Sequence, residues 1–177
     1  PFAQRGRLEL LLVADRETQE RYNADGKLPA GYRVGQPPPM PAAREYAPWS
    51  KGAVLLVDPP IVVTADVARA RPDAAQLPGG VAWHVAVELH PEAAARFDAA
   101  ATRLYSLNPP GMVAIVVDGR IVSMPSIRSD KFGGNLFIAG AKDQDECRTW
   151  AFALSGGELP CLLRELDVRN YRGKLRR

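Results

Sequence analysis

The clearest regularity in the chain runs from Val81 to Leu89, where Val81, Trp83, Val85, Val87 and Leu89 alternate with Ala82, His84, Ala86 and Glu88. Successive side chains on a strand point to opposite faces, so this period of two predicts a strand with the first set against a core. The period then changes. From His90 or Pro91 onward, Ala93, Phe97, Ala100 and Leu104 recur at helical spacing and predict an amphipathic helix, ended by Asn108-Pro109-Pro110-Gly111. Two apolar runs, Ala114 to Val117 and Ile121-Val122, flank Asp118-Gly119, the dipeptide that most readily supplies the positive φ angles of a two-residue hairpin. Gly133-Gly134 precedes a short strand from Leu136 to Gly140. Cys147, Trp150, Ala151 and Leu154 mark one face of a helix that starts near Asp143 and stops near Ser155-Gly156-Gly157, and Glu158-Leu159-Pro160 leads into a last strand.

The N-terminal third is less regular. Arg7 to Val13 predicts a strand, with Glu9 arguing against burial on both faces. Asp15 caps a short helix reaching Asn23. The run from Leu28 to Trp49 holds six prolines, Pro29, Pro37, Pro38, Pro39, Pro41 and Pro48, and is expected to be an irregular connector, because proline removes amide donors and restricts its predecessor. Ala53 to Asp58 is a second strand, stopped by Pro59-Pro60, and the Thr64 hydroxyl is expected to cap a short helix over Thr64 to Ala70. The sum is an α+β fold, a mixed or antiparallel sheet with helices on one face.

Composition adds limits. The 177 residues suit one domain with a smaller attached subdomain, and 46% hydrophobic with 24% charged residues is ordinary for a globular chain. No apolar run reaches the roughly 18 to 20 residues that span a bilayer. With neither an initiator methionine nor a signal-peptide pattern, the chain is expected to be processed or cut from something larger. The net charge of +3 is concentrated at the end, where Arg164, Arg169, Arg172, Lys174, Arg176 and Arg177 face only Glu165 and Asp167. A solvated terminus is the plain expectation, with anionic lipid headgroups ahead of nucleic acid as a contact. Cys147 and Cys161 are expected to be buried thiols, a disulfide being the alternative.

Catalytic patterns are missing from the sequence. It holds no phosphate-binding glycine loop, no nucleophile elbow and no His-Glu-x-x-His. His84 and His90 stand six residues apart, roughly 20 Å along a strand, too far to share a metal. Asp118 is explained by its turn, and Ser123 has no histidine nearby in sequence. The expectation is no enzyme activity, no cofactor and no metal. The segment from Ile127 to Gly134, with Arg128, Asp130, Lys131 and Phe132, is the best place for a partner, since loops on rigid scaffolds carry function.

The ordered set of motifs resembles the head of the first large periplasmic domain of SecD, a membrane subunit of the bacterial protein-export machinery. The family pattern is met by Ile115 to Arg120, Ile121 to Pro125, Gly133-Gly134, Ile138 to Gly140 and Leu154 to Pro160, in that order. Gly6 to Leu10, Val63 to Ala70 and the helix around Ala94 to Thr102 look like further family segments, with Ala65 where a glycine is usual. The resemblance implies a ferredoxin-like base with an inserted head. Residues 1–52 would hold a base strand and the proline-rich excursion, 53–160 the head, and 161–177 the returning base strand and basic tail. It further implies transient binding of unfolded preprotein, with Phe132, Phe137 and Met124 as candidate contacts and Pro59, Pro60 and Pro160 as hinges. The partners implied are the preprotein, a SecF-like subunit and the Sec translocon, at an extracytoplasmic site tethered to the plasma membrane. The alternative is a stand-alone or tethered interaction module on the same fold. Arg164 to Arg177 departs from the family pattern, keeping little beyond Arg169, and the stretch from Gly31 to Ser50 does not align with it.

Overall fold

The computed structural model describes residues 7–37, 52–78 and 80–155. In chain order the elements are β1 (Leu8–Leu12), α1 (Arg16–Asp25), β2 (Tyr32–Gly35), β3 (Val54–Val57), β4 (Val62–Val63), β5 (Val67–Leu77), β6 (Gly80–Leu89), α2 (Pro91–Tyr105), β7 (Val113–Val117), β8 (Arg120–Ser123), β9 (Asn135–Ala141) and α3 (Gln144–Leu154). They form three antiparallel sheets, β4-β1-β7-β8, β2-β3 and β5-β6-β9. The fold is α+β, as the sequence pattern implies.

The β4-β1-β7-β8 sheet is covered on both faces. Leu8, Leu10, Val113, Ile115 and Val117 point into the larger core with Val85, Val87, Ile138, Phe97 of α2 and Cys147 of α3. Leu11, Val13, Ala114, Val116 and Ile121 point the other way, into a second core with Val54 and Leu56 of β3. Double coverage explains why β1 and β7 read as nearly unbroken apolar runs instead of alternating ones. β1, from the stretch expected to be base, sits between β4 and β7, from the stretch expected to be head.

Glu9 corrects the sequence expectation. It is only 4% exposed and lies on the doubly covered strand. Its parity places it on the β3 side, where Arg33 of β2 reaches Oε2 at 2.7 Å and Arg7 reaches Oε1 at 3.1 Å. A carboxylate can be buried when its charge and lone pairs are matched in this way.

The expected helix over Thr64 to Ala70 is also corrected. A single 3-10 turn, Thr64–Asp66, gives way to β5. The Thr64 hydroxyl caps no helix but accepts the Leu8 amide at 2.8 Å, fastening β1. β5 is rich in alanine, so its local preference is weak, and pairing along β6 from Val67 to Leu77 decides its conformation. Pro72 is tolerated because β5 is an edge strand among the described residues. β2 is a strand inside the stretch expected to be irregular, and residues 38–49 of that run lie outside the described residues.

Other expectations hold. Asp118 (φ 51°) and Gly119 (φ 77°) make the tight β7-β8 turn, and the Asp118 carboxylate accepts the Arg7 amide at 2.9 Å. Asp15 caps α1 by accepting the Thr18 amide at 2.8 Å, and Asp143 caps α3 through Glu146 at the same distance. Ala93, Phe97, Ala100 and Leu104 are all buried along α2. Cys147 is a buried free thiol that donates to the His84 carbonyl at 3.1 Å. Cys161, Pro160 and the basic tail lie outside the described residues.

Candidate functional site

β9 pairs with β6 along one edge, and its other edge has no strand partner among the described residues. β8 likewise ends its sheet. The two unpaired edges approach at one point, where a Cβ on Gly140 would stand 3.6 Å from the Val122 carbonyl. Beyond β8 the chain is tied to the start of β7. The Val113 amide donates to Pro125 at 3.1 Å and the Ile127 amide to Gly111 at 2.9 Å.

Between this tied segment and β9 lies a cleft of about 370 Å³. Leu10, Phe97, Val113, Ile115 and Ile138 come from the core side, Pro125 and Ile127 from one wall, and Leu136 and Phe137 from the other. Phe132 contributes from the loop above, its ring edge-on to Phe97 with centroids 5.3 Å apart. Polar groups are few, among them Ser126, Arg128, Ser129 and Asn135. Such a lining can desolvate apolar side chains without selecting one shape, and the volume lies within the roughly 300–1,000 Å³ of ordinary binding pockets. An unpaired strand edge beside it offers main-chain donors and acceptors to an extended chain.

Two of the three contact candidates therefore meet at one place. Phe132 and Phe137 both line the cleft, and Phe137 is also 64% exposed, with His84 edge-on to its ring at 5.1 Å. Met124 does not present a contact surface. It is 4% exposed, packed with Leu11, Ala114 and Val116, because the chain after β8 folds over the second core. Pro125 beside it faces the cleft instead. Leu136 and Ile127 belong to the site too, Ile127 as the first residue of the segment expected to meet a partner but not among the named contact candidates. Ile127, a lone branched aliphatic in a polar loop, was the available signal. Pro59 and Pro60 stand at the crossing from β3 to β4.

A second, smaller depression of about 270 Å³ lies against the outward face of β5-β6-β9, with Arg69, Arg71, Glu88 and Asn135 around Phe137. His84 there places Nε2 3.8 Å from the Asp73 carboxylate. Among the described residues no three His, Cys, Asp or Glu side chains gather as a metal site. No helix among them is long and apolar enough to cross a membrane.

The family model of the SecDF P1 head subdomain matches residues 42–161, more than half of the sequence. The chain belongs to this family. A protein translocase subunit SecD from Streptomyces coelicolor is 32% identical over 87 residues, 49% of this chain and 15% of the relative. A SecDF subunit from Thermus thermophilus is 32% identical over 111 residues, 63% of this chain and 14% of the relative. The chain thus spans about a seventh of the length of these relatives. Among solved structures, a SecDF described as a membrane component that enhances protein export superposes with a TM-score of 0.55 at 25% identity, over 89% of this chain and 65% of that one. SecDF in a super-membrane-facing form gives 0.57 at 24% identity, over 89% and 20%, and supports the fold. The SecDF P1 head assignment covers the β7-β8 hairpin, β9 and α3, the same elements whose motifs carry the sequence resemblance.

Proposed function

We propose that this chain is the extracytoplasmic part of a SecD-type subunit and assists protein export by holding unfolded preprotein transiently in the cleft between β9 and residues 125–129. The observation that carries this is the cleft itself, an apolar slot of about 370 Å³ bordered by two phenylalanines and by an edge of β9 that has no strand partner among the described residues. Unfolded polypeptide offers two things that folded protein hides, apolar side chains and free main-chain amides. The cleft supplies a complement to each. In this mode an extended segment lies along β9 and places alternate side chains into the slot. So small a contact gives weak, sequence-tolerant binding, which suits a chain that must be released and moved on.

Membership in the SecDF P1 head family supports the export role, a site on the outer side of the plasma membrane in a membrane-tethered protein, and association with a SecF-like subunit and the Sec translocon. The role needs no catalytic group, and the domain acts as a binder. A hinge at Pro59-Pro60 is not part of this reading, because β1 before it is paired with β4 and β7 after it.

Titrating a labelled extended peptide with alternating leucine and valine against the chain tests this, with a version carrying aspartate at the alternating positions as control. Saturable binding of the apolar peptide, weakened at least about fivefold in Phe132→Ala and Leu136→Asp, is the expected result. Equal binding of both peptides, or variants that bind as well as the parent, would remove the cleft from the account.

A further inference from the structure

We propose that residues 128–134 form a lid over the cleft and that Asp98 on α2 is its latch. The lid has two fixed ends. Ile127 is buried and its amide donates to Gly111 at 2.9 Å, and the Gly134 carbonyl accepts the Leu89 amide at 2.9 Å. Between them two side chains of α2 hydrogen-bond to the loop, beside the ring contact of Phe97 with Phe132. The Asp98 carboxylate accepts the Phe132 amide at 2.8 Å and the Gly133 amide at 3.3 Å, and the Thr102 hydroxyl, one turn further along, lies 3.0 Å from the Asp130 carbonyl and 3.0 Å from the Asp98 carbonyl, between which its one proton is shared. The other polar contacts of the loop are local, such as Ser129 donating to the Lys131 carbonyl at 2.8 Å and the Asn135 amide to the Phe132 carbonyl at 3.2 Å.

The consequence is mechanical. Phe132, the ring that walls the cleft, is held against Phe97 by its own backbone amide on a single carboxylate. Directly after it come Gly133 (φ 59°) and Gly134 (φ 79°), two consecutive residues in left-handed backbone. Glycine adopts several such conformations at little cost, so this pair can act as the pivot once the latch lets go. A charged acceptor holding two amides makes a stronger fastening than neutral contacts of the same number. Asp98 is thus a positioning residue, acting on the cleft through Phe132. The inference rests on the reading of the cleft as a polypeptide site for its meaning, but the latch itself can be tested without ligand.

The test uses the chain with Asp98→Ala, Asp98→Asn as the conservative variant, and Phe132→Ala. Alanine keeps α2 helical, so the helix should survive. Hydrogen exchange at the Phe132 and Gly133 amides should speed up roughly ten- to a hundredfold in Asp98→Ala, with core amides such as Val116 unchanged, and Asp98→Asn should fall between. With the apolar peptide, Asp98→Ala should raise both association and dissociation rates and leave Kd within about threefold, whereas Phe132→Ala should raise dissociation alone. Unchanged exchange at Phe132 and Gly133, or acceleration spread equally over α2 and β7, would overturn the latch. Local acceleration with unaltered peptide rates would overturn it as well, since the loop would then gate nothing. If the parent chain fails to bind the peptide, the reading of the cleft fails and exchange alone decides the latch, local acceleration supporting it.

Discussion

Replacing Arg33 by methionine should be far more damaging than replacing Glu9 by leucine, although the two residues form one ion pair. The Glu9 side chain is 5% exposed and Arg33 is 33% exposed. Removing Arg33 strands a carboxylate between two sheets with only Arg7, itself 72% exposed, to answer it. Breaking a fully buried pair from one side costs about 3–5 kcal/mol, and the partial exposure of Arg33 together with the surviving Arg7 contact lowers the expectation to about 2 kcal/mol. Removing Glu9 instead leaves arginines whose heads can turn to water along their own stems, and the leucine gains apolar contacts in the second core, so the cost should stay below about 1 kcal/mol. The double replacement, leaving no buried charge, should recover to within about 1 kcal/mol of the parent. Urea unfolding of the four proteins, with equal slopes as the check on two-state behaviour, gives the cycle. Equal losses for the two single variants would refute the reasoning, because the asymmetry follows from burial and from nothing else in the pair.

Gln19→Leu should cost about 2–3 kcal/mol by thermal or urea unfolding, since Gln19 is fully buried and its removal orphans the Leu55 amide (2.8 Å) and the Ala53 carbonyl (3.2 Å). Gly134→Ala should lose more stability than Gly133→Ala. Both have left-handed φ, costing about 1–2 kcal/mol, but only at Gly134 would the new Cβ meet another fixed atom, Ala94 Cβ at 2.9 Å. Acid should reveal Asp15 and Asp66. The Thr18 amide is the largest influence holding Asp15 below its usual 3.8, while at Asp66 burial pushes upward and is outweighed by the Val63 amide and the Arg96 guanidinium. A depressed carboxylate stabilises the fold above its unfolded pKa and loses that contribution as pH falls through the folded value. Stability should therefore drop below pH 3.8. The drop should be smaller in Asp15→Asn with Asp66→Asn, followed by urea midpoints across that range.

Elements with strong local signals were legible in the sequence. Asp118-Gly119 has few uses other than its turn, and Ala93, Phe97, Ala100 and Leu104 can share a face only on a helix. Two kinds of information were not local. The burial of Glu9 depends on Arg33 arriving from another sheet, and the strand state of Val67 to Leu77 depends on a long partner in β6. Each overrides a correct reading of the residue by itself. The cleft is of the same kind. Phe132 stood out beside two glycines, but its companions Leu10, Phe97, Ile115, Ile127 and Ile138 come from five separate segments, and only the folded chain brings them together. Met124 belongs to the opposite core although Pro125 directly after it faces the cleft, a reversal that only the folded chain shows.

The most direct measurement is site-specific photo-crosslinking during export. A photoreactive residue is placed in turn at Ile127 and Leu136 in the cleft and at Val34 and Val81, which are exposed elsewhere. An unfolded preprotein arrested in transit should crosslink to the two cleft positions and not to the two outside ones, with the signal reduced by Phe132→Ala. Crosslinks of equal yield at all four positions, or none from the cleft, would contradict the account.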